Sequence, residues 1–150
     1  MVKSTLISFA IMTATFLFID VIWLSQAVGY FYQPNIGVLL RETPLALPAI
    51  LFYLIYPLGV TILVIVPSLE QVLLKKIFYR GFVFGFVAYG TYNLTNMATL
   101  KGWSANVVIV DMIWGGILTG VSASLSTYLV RGILRTRSVS YTHLTLPTKA

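Results

Sequence analysis

Four long, unbroken apolar stretches constrain this 150-residue chain more than any other feature. They run from about Leu6 to Val28, Leu47 to Val66, Gly81 to Leu100 and Ala105 to Val130. A helix needs roughly 20 residues to cross about 30 Å of bilayer hydrocarbon, and each stretch supplies that length. In hydrocarbon, every backbone N–H and C=O must bond within the protein, so only helices and closed barrels span. Barrel strands alternate apolar and polar residues, and these runs do not. The expectation is an all-α membrane protein: four transmembrane helices in an antiparallel bundle, forming one domain over residues 1–137.

Charge placement then orients the bundle. Only 9% of residues are charged, so the net +6 does not point to nucleic acid. Lys3, Lys75, Lys76, Arg80, Arg131, Arg135 and Arg137 fall on one side of a four-span topology, and Arg41 and Lys101 on the other. The positive-inside rule therefore places both termini in the cytoplasm, in the inner membrane of a bacterium. The chain has no cysteine, which removes disulfides and thiolate metal sites. Val139 to Thr148 reads VSYTHLTLPT, the in-frame translation of a transposon-end sequencing adapter. Residues 138–150 are therefore set aside as an artefactual, disordered tail. The only histidine, His143, goes with them.

The connections carry fewer signals. Gly29 to Ala46 reads as the longest outer loop, with Tyr30, Phe31 and Tyr32 suited to the headgroup boundary, as is Trp103. Ser68 to Arg80 reads either as a short amphipathic helix on the inner leaflet or as a charged loop. Pro57 predicts a kink in the second span.

Inside this apolar frame sit two aspartates, Asp20 and Asp111, each opening the pattern D-x-I-W. A carboxylate at mid-span costs roughly 2.5–3.5 kcal/mol on insertion scales, so such residues mark functional sites by default. Asp20–Trp23 and Asp111–Trp114 are i, i+3 pairs on one helix face. Span three is the most polar, and Tyr89, Tyr92, Asn93 and Asn96 share a face by spacing, with Thr91 and Thr95 beside it. At 1.5 Å per residue, Asp20, Asn93 and Asp111 each lie roughly 6–12 Å from the outer end of their spans. Tyr53 reaches the same depth from span two. The candidate polar site is therefore Asp20, Asp111, Asn93, Asn96, Tyr92, Thr95, Tyr53, Trp23 and Trp114.

Two carboxyls with two amides can hold a hard cation such as Mg²⁺ or Ca²⁺, carry a proton, or clamp helices in register. No soluble-enzyme motif is present, and no cofactor is implied. Three readings stay open: a site for a small polar ligand, cation or lipid headgroup; a membrane enzyme of lipid modification; or a non-catalytic assembly subunit. Gly81-x-x-x-Gly85 and Gly116-x-x-x-Gly120 allow close helix approach and offer faces for a second copy of the chain.

Four motifs resemble a known family: FxxxDxxWL (Phe16 to Leu24), FYxxYxxG (Phe52 to Gly59), YxTYNLTNxATLKGW (Tyr89 to Trp103) and VDMIWG (Val110 to Gly115). They are similar to the bacterial predicted membrane proteins of domain-of-unknown-function family 2177, over nearly all of Leu6 to Val130. The resemblance implies fold and membrane location and carries no activity with it. An aspartate is usual in that family where this chain has Asn93, so a third carboxyl is missing here.

Overall fold

The computed structural model describes residues 2–70 and 72–144, with 137–144 by backbone alone. All regular structure among the described residues is helical: α1 Val2–Ala27, α2 Gln33–Ile36, α3 Ala46–Val60, α4 Leu74–Thr99 and α5 Ala105–Leu144. Three helical segments are long and apolar enough to cross a membrane, namely Val2–Leu39, Ala46–Ser68 and Ala105–Thr136. α4 has a spanning length of 26 residues but is less apolar. Lys75, Lys76 and Arg80 occupy its first two turns, and its second half holds the polar run from Tyr89 to Asn96.

The connections differ from the sequence expectation. The segment expected as a loop from Gly29 is helical through Leu39: a π-helical turn, Val28–Tyr32, leads into α2, and a 3-10 turn, Gly37–Leu39, follows. Gly29 stays in the helix, and Pro34 follows directly on the π-helical turn, at the start of α2. Only residues 40–45 form a loop there. A separate surface helix over Ser68 to Arg80 does not form either. A 3-10 turn ends at Ser68, and Leu74 to Arg80 are the first turns of α4 itself. Pro57 is buried inside α3, which runs on to Val60 and then widens into a π-helical turn, Thr61–Ile65. The tail expected to be disordered from 138 is helical in backbone through Leu144, and residues 145–150 lie outside the described residues.

The interior mixes polar with apolar residues, and the exterior is rich in apolar side chains. Ser8, Thr61, Asn93, Thr119, Ser122 and Ser126 are fully buried, while Ile55, Leu63, Val87 and Ile109 stand exposed. Lipid as the surrounding solvent accounts for this arrangement, because apolar side chains lose nothing by facing it. A smaller apolar core (Met12, Phe16, Val60, Ile65, Ile77 and Leu118) fills the half away from Trp103.

α4 and α5 form a tight antiparallel hairpin. Gly102, at φ +83°, makes the left-handed turn between them. The pair is in backbone contact: a Cβ on Gly85 would lie 2.1 Å from the Gly115 carbonyl oxygen, and one on Gly81 3.0 Å from Gly120 Cα. Gly116 and Gly120 also receive the rings of Phe82 and Phe78. The two glycine faces expected to meet a second copy therefore meet each other, and no room is left on them for a partner chain. α1 runs antiparallel to α5 as well. Contacts step from Thr15 with Ser126, to Asp20 with Trp114, to Tyr32 with Asp111.

Arg131 closes the far end. Its guanidinium donates to the carbonyl oxygens of Ser68 (2.6 Å), Val72 (2.7 Å) and Leu69 (3.1 Å). Ser68 ends the last 3-10 turn after α3, Leu69 follows it and Val72 stands just before α4, so Arg131 ties down the connection between the two helices.

Candidate functional site

The site begins with two helices that run in opposite directions and carry the same D-x-I-W spacing. Antiparallel packing sets the aspartate of each beside the tryptophan of the other. Trp114 Nε1 donates to Asp20 Oδ1 at 3.3 Å. Trp23 and Trp114 stack at 4.4 Å between centroids and 17° between planes. Trp23 Nε1 donates to Tyr32 Oη at 3.3 Å, and Tyr32 Oη in turn donates to Asp111 Oδ1. An indole pair thus bridges the two carboxyls, and both carboxyls are buried.

The remaining helices complete the set. From α3, Tyr53 Oη donates to Asp20 Oδ2 at 2.8 Å. From α4, Asn93 Nδ2 donates to Asp111 Oδ2 at 3.2 Å, and to the Tyr89 carbonyl at 3.1 Å. Asn93 Oδ1 accepts from Trp103 Nε1 at 3.3 Å. Every tryptophan in the chain therefore donates its indole N–H into one network. All four carboxyl oxygens are bonded, and every donor is neutral: two phenols, one indole and one amide. One turn deeper, Tyr56 Oη and Thr119 Oγ1 bond at 2.7 Å.

Six of the residues expected from sequence converge: Asp20, Asp111, Asn93, Tyr53, Trp23 and Trp114. Three do not. Thr95 is exposed and bonds its own helix, at the carbonyls of Thr91 (2.6 Å) and Tyr92 (3.0 Å). Tyr92 is 56% exposed and packs edge-on against Trp103, and Asn96 is half-buried without reaching either aspartate. The face predicted for α4 divides because Tyr89 and Asn93 meet α5, whereas Tyr92 is left exposed and Asn96 partly so.

Tyr32 and Trp103 are the members that sequence reasoning assigned elsewhere, to the headgroup boundary. Tyr32 had no visible signal. On an unbroken α-helix, nine residues at about 100° each put it half a turn away from Trp23. The π-helical turn between them widens the helix and brings its hydroxyl back to the Trp23 face. Trp103 sits ten residues after Asn93, beyond the end of α4, and only the α4–α5 turn folds it back. Ser104 in that turn donates to Asn35 Oδ1 at 3.0 Å, tying the turn to α2.

A groove of 660 Å³ opens between these elements and reaches Asp111. Leu24, Val28, Ile36 and Leu40 make one apolar wall. Tyr32, Tyr92 and Trp103 surround its inner part, and Arg41 and Glu42 stand on its rim.

No curated protein and no solved structure matches the chain. The model of the DUF2177 family, described as predicted membrane protein, matches residues 5–128. With its apolar helices, its lipid-facing exterior and the four motifs lying inside that range, the chain belongs to the DUF2177 family of predicted membrane proteins.

Proposed function

We propose that this protein is a four-span protein of the bacterial cytoplasmic membrane that binds the polar end of a small or lipid-borne ligand in the outer half of its bundle. One observation carries the reading: the 660 Å³ groove whose floor is Asp111. A buried carboxyl that meets an open groove is placed to receive a ligand, whereas one sealed among helices is not. Asp111 supplies the charge, Asn93 and Tyr32 orient it, and Asp20 anchors the indole pair behind it.

The fourth span is α4. It lies against α5 from Gly81 to Asn93, so a membrane that embeds α5 embeds α4 too. Its low hydropathy comes from its cationic first turns and from a polar run in which Asn93 meets α5, Tyr92 lines the groove and Thr91, Thr95 and Thr99 bond their own helix. The seven-to-two division of cations supports a cytoplasmic location for both termini. The natural absence of cysteine makes this testable with single-cysteine variants. An impermeant maleimide added outside spheroplasts should label Lys101→Cys and spare Lys75→Cys; the opposite pattern reverses the topology.

A second reading, a clamp that only holds the helices in register, is favoured by the bonding of all four carboxyl oxygens. Intrinsic fluorescence separates the two, because all three tryptophans lie in the network. Purified protein titrated with a mixture of short-chain phosphatidylethanolamine and phosphatidylglycerol should show a saturable emission change that Trp103→Phe diminishes. Unchanged emission, with no lipid retained in native mass spectra, leaves only the clamp.

A further inference from the structure

The groove has a polarity that narrows the ligand. At its floor Asp111 accepts hydrogen bonds only from neutral groups, Tyr32 and Asn93. A carboxylate offers about four lone-pair positions, so two bonds leave acceptor capacity on a residue that lines the groove. Around that floor stand three aromatic rings. Tyr92 and Trp103 meet edge to face at 5.7 Å and 85°, and Tyr32 lines the groove beside them. Aromatic faces next to a carboxylate form a recognition surface for an ammonium group.

The rim has a different character. Arg41 stands there with Glu42, in the loop after α2. A guanidinium is the side chain best matched to a phosphate. Counting Arg41 as +1 and Glu42 and Asp111 as −1 each, the groove totals −1. That total disfavours a ligand that is anionic overall and favours one whose positive end enters first. The apolar wall of Leu24 and Val28 continues into the exposed lipid-facing side of the first helical segment, where Val21 of α1 and Val28 of the π-helical turn are 52% and 43% exposed. A ligand lying on that wall carries an acyl chain.

We infer that the groove takes the headgroup of a primary-amine zwitterionic phospholipid from the membrane, with its ammonium on Asp111 among the rings of Tyr32, Tyr92 and Trp103 and its phosphate at Arg41. This rests on the binding reading above and specifies its ligand. A primary ammonium has three N–H donors for the free carboxylate positions, which a trimethylammonium lacks. Phosphatidylglycerol has the phosphate without the cation.

The test is retention of phosphatidylethanolamine, phosphatidylcholine and phosphatidylglycerol, each offered separately to the purified protein and read by native mass spectrometry and tryptophan emission. Phosphatidylethanolamine should be retained about tenfold better than phosphatidylglycerol, the size of one charge-assisted hydrogen bond. Asp111→Asn, which keeps an acceptor for Tyr32, should abolish that preference, and Arg41→Gln should weaken both lipids alike. Soluble glycerophosphoethanolamine should leave emission unchanged at concentrations where the lipid saturates it. Equal retention of phosphatidylglycerol or phosphatidylcholine, or an unaltered preference in Asp111→Asn, overturns the amine assignment and leaves the binding site standing. A response to glycerophosphoethanolamine equal to that of the lipid overturns the membrane source. Retention of no lipid, with emission that never moves, overturns both.

Discussion

At the Trp103 end of the bundle side-chain bonds gather into one network, whereas at the Arg131 end they stay as separate pairs, Thr15 with Ser126 and Arg80 with Ser68, beside bonds to backbone. Asp20, Asp111, Asn93 and the three indoles form one network that joins α1, α3, α4, α5 and the turn before α5. At the other end Ser8 and Thr127 turn back onto their own helices, Arg131 gathers three carbonyls, and Thr61 and Ser122 are buried without a partner. Both ends hold helices together, but only one concentrates charged and polar chemistry at a groove. Backbone bonding ties segments with little demand on side-chain identity. A side-chain network requires each member's geometry, and that specificity fits a site better than it fits a scaffold.

Substitutions can break or sharpen this contrast. The largest effect belongs to neither end but to the helix pair that serves both. Gly85→Leu forces a side chain into the Gly115 carbonyl and should cost about 3 kcal/mol or prevent folding, read as lost monodisperse protein in detergent. Arg131→Met should cost about 2 kcal/mol by releasing three carbonyls, with a lowered melting temperature and tryptophan emission unchanged. Emission that shifts in Arg131→Met would mean the two ends are not independent.

Within the network the expected costs are smaller, because hydrogen bonds between membrane helices average about 0.6 kcal/mol. Asp20→Asn should cost about 1 kcal/mol, since it puts an amide donor where Tyr53 or Trp114 now donates. Tyr32→Phe removes the link from Trp23 to Asp111 and should cost about 0.6 kcal/mol with a clear change in emission. Thr95→Val should change stability by under about 0.5 kcal/mol and leave emission as it is, because Thr95 bonds only its own helix. A large effect at Thr95 would return it to the site.

Much of the site was legible from spacing because helices convert sequence intervals into faces and depths. Asp20, Asn93 and Asp111 stood at one depth by simple rise, and the i, i+3 rule paired each aspartate with a tryptophan. The same rules failed where the helix departed from α geometry. Tyr32 lay behind a π-helical turn that no residue announced, and Trp103 lay beyond a helix end. Spacing also overcounted. It placed Tyr92 with Asn93, though adjacent residues on a helix lie 100° apart, and α5 covers only one of them.

Taken alone, the sequence determined the helical class and the membrane setting. Hydrocarbon leaves the backbone few alternatives, and length and apolarity are read directly from residues. Only the tertiary structure decided how the helices pair. Gly81 and Gly85 meet Gly120 and Gly115 within the chain, and the twin D-x-I-W segments cross so that each carboxyl finds the other helix's indole, directly for Asp20 and through Tyr32 for Asp111. Pairing depends on which faces fit at close range, a property of two surfaces together that no single stretch of sequence contains.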